Sequence, residues 1–98
     1  MADTPPVPPQ LQIALDEELA QGMYCNLALI SHGESEFILD FVFVQPQQPK
    51  AKVRARILTS PQHAKRLAAA LAENIARYEA RFGEIKQLAP PPDIMPRH

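Results

Sequence analysis

The sequence predicts an α+β fold, with an antiparallel sheet of about four strands followed by one long C-terminal helix packed on one face. Apolar residues alternate with a period of two along the first part of the chain and recur with a helical period over 61–82. Eight of the eleven prolines lie in the first nine and last nine residues. We therefore expect Pro-rich disordered tails at 1–9 and 87–98, and a single α+β domain at 10–86.

Four segments carry the strand signal, and each ends at a residue that favours a turn. The predicted strands are 11–15, 23–31, 36–44 and 50–58. Asp16 to Gln21 predicts a turn or a single helical turn, closed by Gly22. The polar residues 32–35 supply a hairpin turn, and the two prolines within 45–49 interrupt the chain between the last two strands.

The long helix has clear start and stop signals. Ser60 is a suitable N-cap, Pro61 fits the first helical position, and Gly83 suits the C-terminal cap. The predicted helix is about 33 Å long at 1.5 Å per residue. Apolar side chains recur along one side, which we call the helix stripe: Ala64, Leu67, Leu71, Ile75, Tyr78 and Phe82.

The third predicted strand is apolar on both faces. The helix can cover the face that carries Phe37, Leu39, Phe41 and Phe43. The other side, the second face, consists of Ile38, Asp40, Val42 and Val44. We predict that the second face is an interface in a homodimer or a dimer of dimers, because a monomer would leave it in water. Asp40 would then need a basic partner, and Arg54 or Arg56 is the candidate.

Four cations alternate along the last predicted strand and form what we call the basic row: Lys50, Lys52, Arg54 and Arg56. With His63 and Lys65 near the helix start, the basic row is a candidate contact for an anion or a nucleic acid. Alternatively, it pairs with Glu36 and Asp40 across the hairpin, or it binds an acidic protein partner. No aromatic residue interleaves the row as in a stacking platform, which favours the pairing.

Composition and motifs argue against several classes of protein. A length of 98 residues suffices for one small domain, and a net charge of −1 lacks the positive excess of dedicated nucleic-acid binders. One cysteine, Cys25, excludes an intramolecular disulfide and favours a reducing compartment. We see no signal-peptide pattern and no run of about 20 apolar residues, so we expect a cytoplasmic protein without membrane contact.

The sequence offers no set of residues for catalysis. Its three histidines lack further ligands at metal-binding spacing, and its three glycines form no phosphate-binding loop. Cys25 has no general base nearby, so we expect a small buried side chain. Tyr24 and Asn26 share the opposite strand face, where we expect hydrogen bonding at an interface or to neighbouring strands. These observations predict a protein that is not an enzyme and that uses no cofactor or metal.

Four strings resemble a family of short prokaryotic proteins defined as a domain of unknown function: GMYCN at 22–26, EFILDF at 36–41, SPQHAKRL at 60–67 and YEARFG at 78–83. The resemblance spans about residues 11–86 and implies a cytosolic prokaryotic protein, without a reaction or ligand. The order of four strands and a long helix is also similar to the export chaperone that holds unfolded preproteins as a tetramer.

We therefore expect a non-enzymatic, homo-oligomeric binding or adaptor protein of the prokaryotic cytosol. One alternative is a chaperone-like binder of extended peptides, which needs an apolar groove that stays exposed after assembly. The other is a nucleic-acid-binding protein, which needs the basic strand Lys50–Arg56 to stay unpaired. Steep salt dependence of binding would favour the nucleic-acid alternative.

Overall fold

A computed structural model of the chain describes residues 11–87. The elements are α1 (Glu17–Ala20), β1 (Leu27–His32), β2 (Phe37–Val44), β3 (Ala51–Thr59) and α2 (Pro61–Phe82). The strands form one antiparallel sheet in the order β1-β2-β3. The predicted α+β class is confirmed, whereas the number of strands is three and not about four. Apart from Gln87, the tails predicted at 1–9 and 87–98 lie outside the described residues.

The described chain divides into two compact units. The first unit contains residues 11–30 and 39–57, and therefore α1 with most of the sheet. The second unit contains residues 31–38 and 58–87, and therefore the turn between β1 and β2 together with α2.

In the first unit, the segment 11–15 is not a strand, and this part of the prediction is wrong. Leu11, Ile13 and Leu15 alternate with smaller or polar residues, yet they are 63%, 85% and 68% exposed. An alternating segment becomes a strand only when a neighbouring backbone supplies ladder hydrogen bonds. Within residues 11–87, no other strand pairs with this segment. The single helical turn expected after it is α1, and Gly22 follows with a φ of 76°.

The strand β1 begins at Leu27 and not at Met23, because a side chain takes over the pairing at its start. The backbone N–H of Asn26 donates to the carbonyl of Val42 (3.1 Å). The Asn26 amide then donates to the carbonyl of Val44 (3.1 Å), while its Oδ1 accepts from the Val44 N–H (2.8 Å). One side chain thus makes both hydrogen bonds that a backbone partner would make with Val44.

Hairpin turns connect the strands at both sides of β2. The Gly33 N–H donates to the carbonyl of Glu36 (3.0 Å) at the first turn. The Gln45 N–H donates to the carbonyl of Lys50 (3.3 Å) at the second. These bonds place β2 in the centre of the sheet, with β1 and β3 as its edges.

The core of the described chain is very small. Leu39 (8% exposed) and Val42 (3% exposed) are its buried hydrophobic residues. They lie on opposite faces of β2, because side chains alternate along a strand. Each face of the central strand therefore buries one side chain.

In the second unit, α2 begins and ends where the sequence predicts. The Ser60 hydroxyl accepts from the His63 N–H (3.1 Å), Pro61 occupies the first turn, and Gly83 ends the helix with a φ of 103°. The Gly83 N–H donates to the carbonyl of Glu79 (3.0 Å). No helix within residues 11–87 is long and apolar enough to cross a membrane.

The Asn26 contacts give a first testable prediction. Asn26→Ala removes both side-chain bonds to Val44, and we expect the free energy of unfolding to fall by about 1–2 kcal/mol. Urea denaturation followed by circular dichroism measures this change. Asn74→Ala is the matched control, because the Asn74 amide makes one bond to the Ala70 carbonyl within α2 (3.0 Å). Equal effects of the two substitutions would contradict the role assigned to Asn26.

Candidate functional site

The most specific polar contact of the first unit joins β2 and β3. Arg56 donates from Nε to one carboxylate oxygen of Asp40 (2.8 Å) and from Nη2 to the other (2.9 Å). The Asp40 side chain is 13% exposed and that of Arg56 is 62% exposed. The basic partner that the sequence predicts for Asp40 is therefore Arg56, in the two-pronged geometry that suits a guanidinium and a carboxylate.

A second member of the basic row contacts an aromatic ring. The Arg54 guanidinium lies 5.3 Å from the ring centroid of Phe43, a distance typical of a cation–π contact. Tyr24 meets the same ring edge-on, at 6.4 Å between centroids. Periodicity and composition do not predict this contact between Tyr24, Phe43 and Arg54, because it depends on which residues lie near one another across the sheet.

The other two members of the basic row, Lys50 and Lys52, are exposed. Among residues 11–87, the salt bridges are Arg56–Asp40 and Arg77–Glu73, so neither lysine has a carboxylate within bonding distance. The expected pairing of the row with acidic residues thus occurs at one of its four positions. His63 and Lys65 lie on α2 in the second unit, whereas the whole basic row lies in the first.

The residues of the predicted interface differ in their surroundings. Val42 belongs to the small core, and Asp40 binds Arg56 of the same chain. Ile38 and Val44 are half-buried, and the Val44 backbone is bonded to Asn26. The interface at the second face stays a prediction, and its centre, Val42, is already covered within one chain.

The helix stripe provides an exposed apolar surface on the second unit. Leu67 and Ile75 are each 41% exposed, Tyr78 is 51%, Leu71 is 59% and Phe82 is 65% exposed. The 3.6-residue period identifies these residues from sequence, but it implies that the stripe is buried. The structure adds that one chain leaves the stripe largely in water.

The described residues offer little for chemistry. Within residues 11–87, no group of three or more His, Cys, Asp or Glu side chains is placed to hold a metal ion. Cys25 is half-buried and unpaired.

The hydrogen bonds between Asp40 and Arg56 shift the titration of both groups. Hydrogen bonding to the Arg56 side chain is the main effect, and it holds the pKa of Asp40 below its ordinary value. Burial opposes it by raising the pKa, and the positive charge of Arg56 adds a still smaller lowering. The same hydrogen bonds raise the pKa of Arg56. The paired, charged form is thereby the stable form of the folded chain at neutral pH.

This shift predicts how stability depends on pH. Folding lowers the pKa of Asp40, so its ionised side chain stabilises the folded chain. This stabilisation is complete above the ordinary pKa of 3.8, and it is lost as the pH falls through the lower pKa of the folded chain. We expect Asp40→Asn to flatten the acid limb of a plot of urea midpoint against pH. Glu73→Gln is the control, since Glu73 and its partner Arg77 are 65% and 70% exposed. An acid limb unchanged by Asp40→Asn would contradict this assignment.

Comparison with known proteins identifies a family. No match was found among the curated proteins or among the solved structures. A family model described as "Protein of unknown function (DUF3467)" matches residues 1–87, which is most of the chain. On this match, the chain is a member of the DUF3467 family of proteins of unknown function.

Proposed function

We propose that the protein is a non-enzymatic homo-oligomer that serves as a binding or adaptor module in the prokaryotic cytosol. The observation that carries this proposal is the imbalance between buried and exposed apolar side chains. Two hydrophobic residues of the described chain are buried, whereas sixteen large ones are exposed.

The imbalance matters because order has an entropic cost. Fixing the backbone of one residue costs about 1–2 kcal/mol. Burying one Leu or Val side chain contributes about 1.5–3 kcal/mol. Leu39 and Val42 therefore offset only a small part of the cost of ordering residues 11–87. A small domain with so few buried side chains gains stability by association, which supports a homo-oligomer.

The helix stripe is the surface that we assign to self-association. Its exposed residues lie at spacings of three and four, which is the pattern by which two helices pack side by side. A second copy presents an identical stripe, so a symmetric dimer buries both at once. Exposed surfaces outside the stripe then remain available for a protein partner.

A second candidate function is chaperone-like binding of extended peptides. The exposed helix stripe of the second unit favours it, and so, separately, does the β3 edge of the first unit, which has no strand beside it within residues 11–87. Apolar surface and an unpaired strand edge are each surfaces to which peptides bind. The nucleic-acid alternative has less support, since Arg54 and Arg56 are engaged by Phe43 and Asp40. Binding of an apolar dye that persists in the assembled protein and is insensitive to salt would favour the peptide binder.

Light scattering on the purified chain tests the proposal. We expect the wild type to be a dimer or a larger homo-oligomer. Leu71→Glu places a charge in the middle of the helix stripe, where assembly would have to bury it unpaired, and we expect at least tenfold weaker self-association, or about 1.4 kcal/mol or more.

Ala69→Glu is the matched control, because Ala69 lies on the opposite side of α2 and is exposed. We expect it to leave the oligomer intact. A monomeric wild type at micromolar concentration would overturn the homo-oligomer. If the oligomer persists with Leu71→Glu, the interface does not lie on the helix stripe.

A further inference from the structure

Two features of the first unit are incomplete in one chain. The segment 11–15 has the alternating pattern of a strand, yet no strand of the described chain lies beside it, and its apolar residues are 63–85% exposed. The strand β3 is an edge of the sheet within the described residues, so one side of its backbone has no strand beside it. An unpaired strand edge is a template for another chain.

The two features match in their apolar pattern. If the segment lies antiparallel to β3 with Ile13 opposite Ala55, then Leu15 lies opposite Val53 and Leu11 lies opposite Ile57. Val53 and Ile57 are each 48% exposed, so each has apolar surface left to bury. Residues directly opposite in an antiparallel pair share a face, and this register therefore brings all the apolar residues together.

The two features also match in charge. The same register places Asp16, the last extended residue before α1, opposite Lys52, and Lys50 follows as the next cation of the basic row. Neither lysine has an acidic partner within residues 11–87. Gln12 and Ala14 lie opposite the other two members of the basic row, so no cation meets a cation. The other edge strand, Leu27–His32, contains no Lys, Arg, Asp or Glu and offers no such complement.

We infer that residues 11–16 of one copy, which end where α1 begins, add to the β3 edge of a second copy as a fourth, antiparallel strand. This inference rests on the proposed homo-oligomer and names one of its contacts. A second copy is the occupant because the segment has no strand partner within residues 11–87 of its own chain, while every copy carries both the segment and the edge. When two copies exchange these segments, each segment gains a strand partner and each β3 edge is covered by a strand of the other copy.

Cross-linking between copies tests this exchange. In a Cys25→Ser background, one tagged chain carries Ile13→Cys and a differently tagged chain carries Ala55→Cys. Opposite Cα atoms in an antiparallel ladder are about 4.5–5.5 Å apart, which suits a disulfide. We expect mild oxidation to produce a disulfide dimer that contains both tags. The control combines Gln12→Cys with Ala55→Cys. The side chain of residue 12 would lie on the opposite face of the added strand from that of residue 13, so we expect no cross-link.

The outcomes separate this inference from the proposed function. An oligomer by light scattering without the mixed-tag disulfide overturns the strand exchange and leaves the homo-oligomer standing. A monomeric wild type overturns both. A third chain that carries both Ile13→Cys and Ala55→Cys tests the alternative within one copy. If a disulfide forms within this chain and none forms between the two tagged chains, the segment folds back on its own β3, and the exchange is overturned.

A charge swap tests the register independently. Asp16→Lys places like charges opposite each other, and we expect the dissociation constant of the oligomer to rise about two- to fivefold, as for an exposed ion pair. The double variant Asp16→Lys with Lys52→Asp restores opposite charges and should recover the wild-type constant in sedimentation equilibrium. Glu34→Lys in the first hairpin turn should have no effect. Failure of the double variant to recover overturns this register.

Discussion

The central position of β2 is the constraint on which the sheet depends. It pairs with a strand on each side, and the two buried hydrophobic side chains that residues 11–87 contain, Leu39 and Val42, both come from it. Since these two side chains lie on opposite faces of β2, each face has one buried hydrophobic side chain among the described residues. A protein with so thin a core relies on directional contacts to fix its register, because apolar packing alone is tolerant of small shifts.

Those directional contacts lie on both sides of β2. On one side, the Asn26 amide holds the Val44 backbone in register. On the other, Arg56 binds Asp40 through both carboxylate oxygens, and Arg54 covers the Phe43 ring. A slip by one residue between the strands would separate each of these pairs. Polar contacts therefore define the pairing here, while apolar surface remains available for other chains.

Local signals in the sequence predict α2 well and the sheet less completely. Ser60, Pro61 and Gly83 act within their own turns, so the bounds of the helix follow from sequence alone. The segment 11–15 carries an equally regular pattern, yet a strand needs a partner that the pattern does not specify. The role of Asn26, and the choice of Arg56 over Arg54 as the partner of Asp40, depend on the register between strands. That register is non-local, so period and composition do not determine it.

One junction also limits how such a chain can vary in length. Thr59 ends β3 and Pro61 begins α2, so Ser60 alone connects them and also caps the helix. An insertion there would separate the cap from the turn that it caps. The exposed turn between β2 and β3, residues 45–50, has no such double role, and surface turns tolerate added residues. Changes in loop length are thus tolerated before β3 and disfavoured after it. A graft or a circular permutation of this fold should therefore leave the β3–α2 junction unchanged.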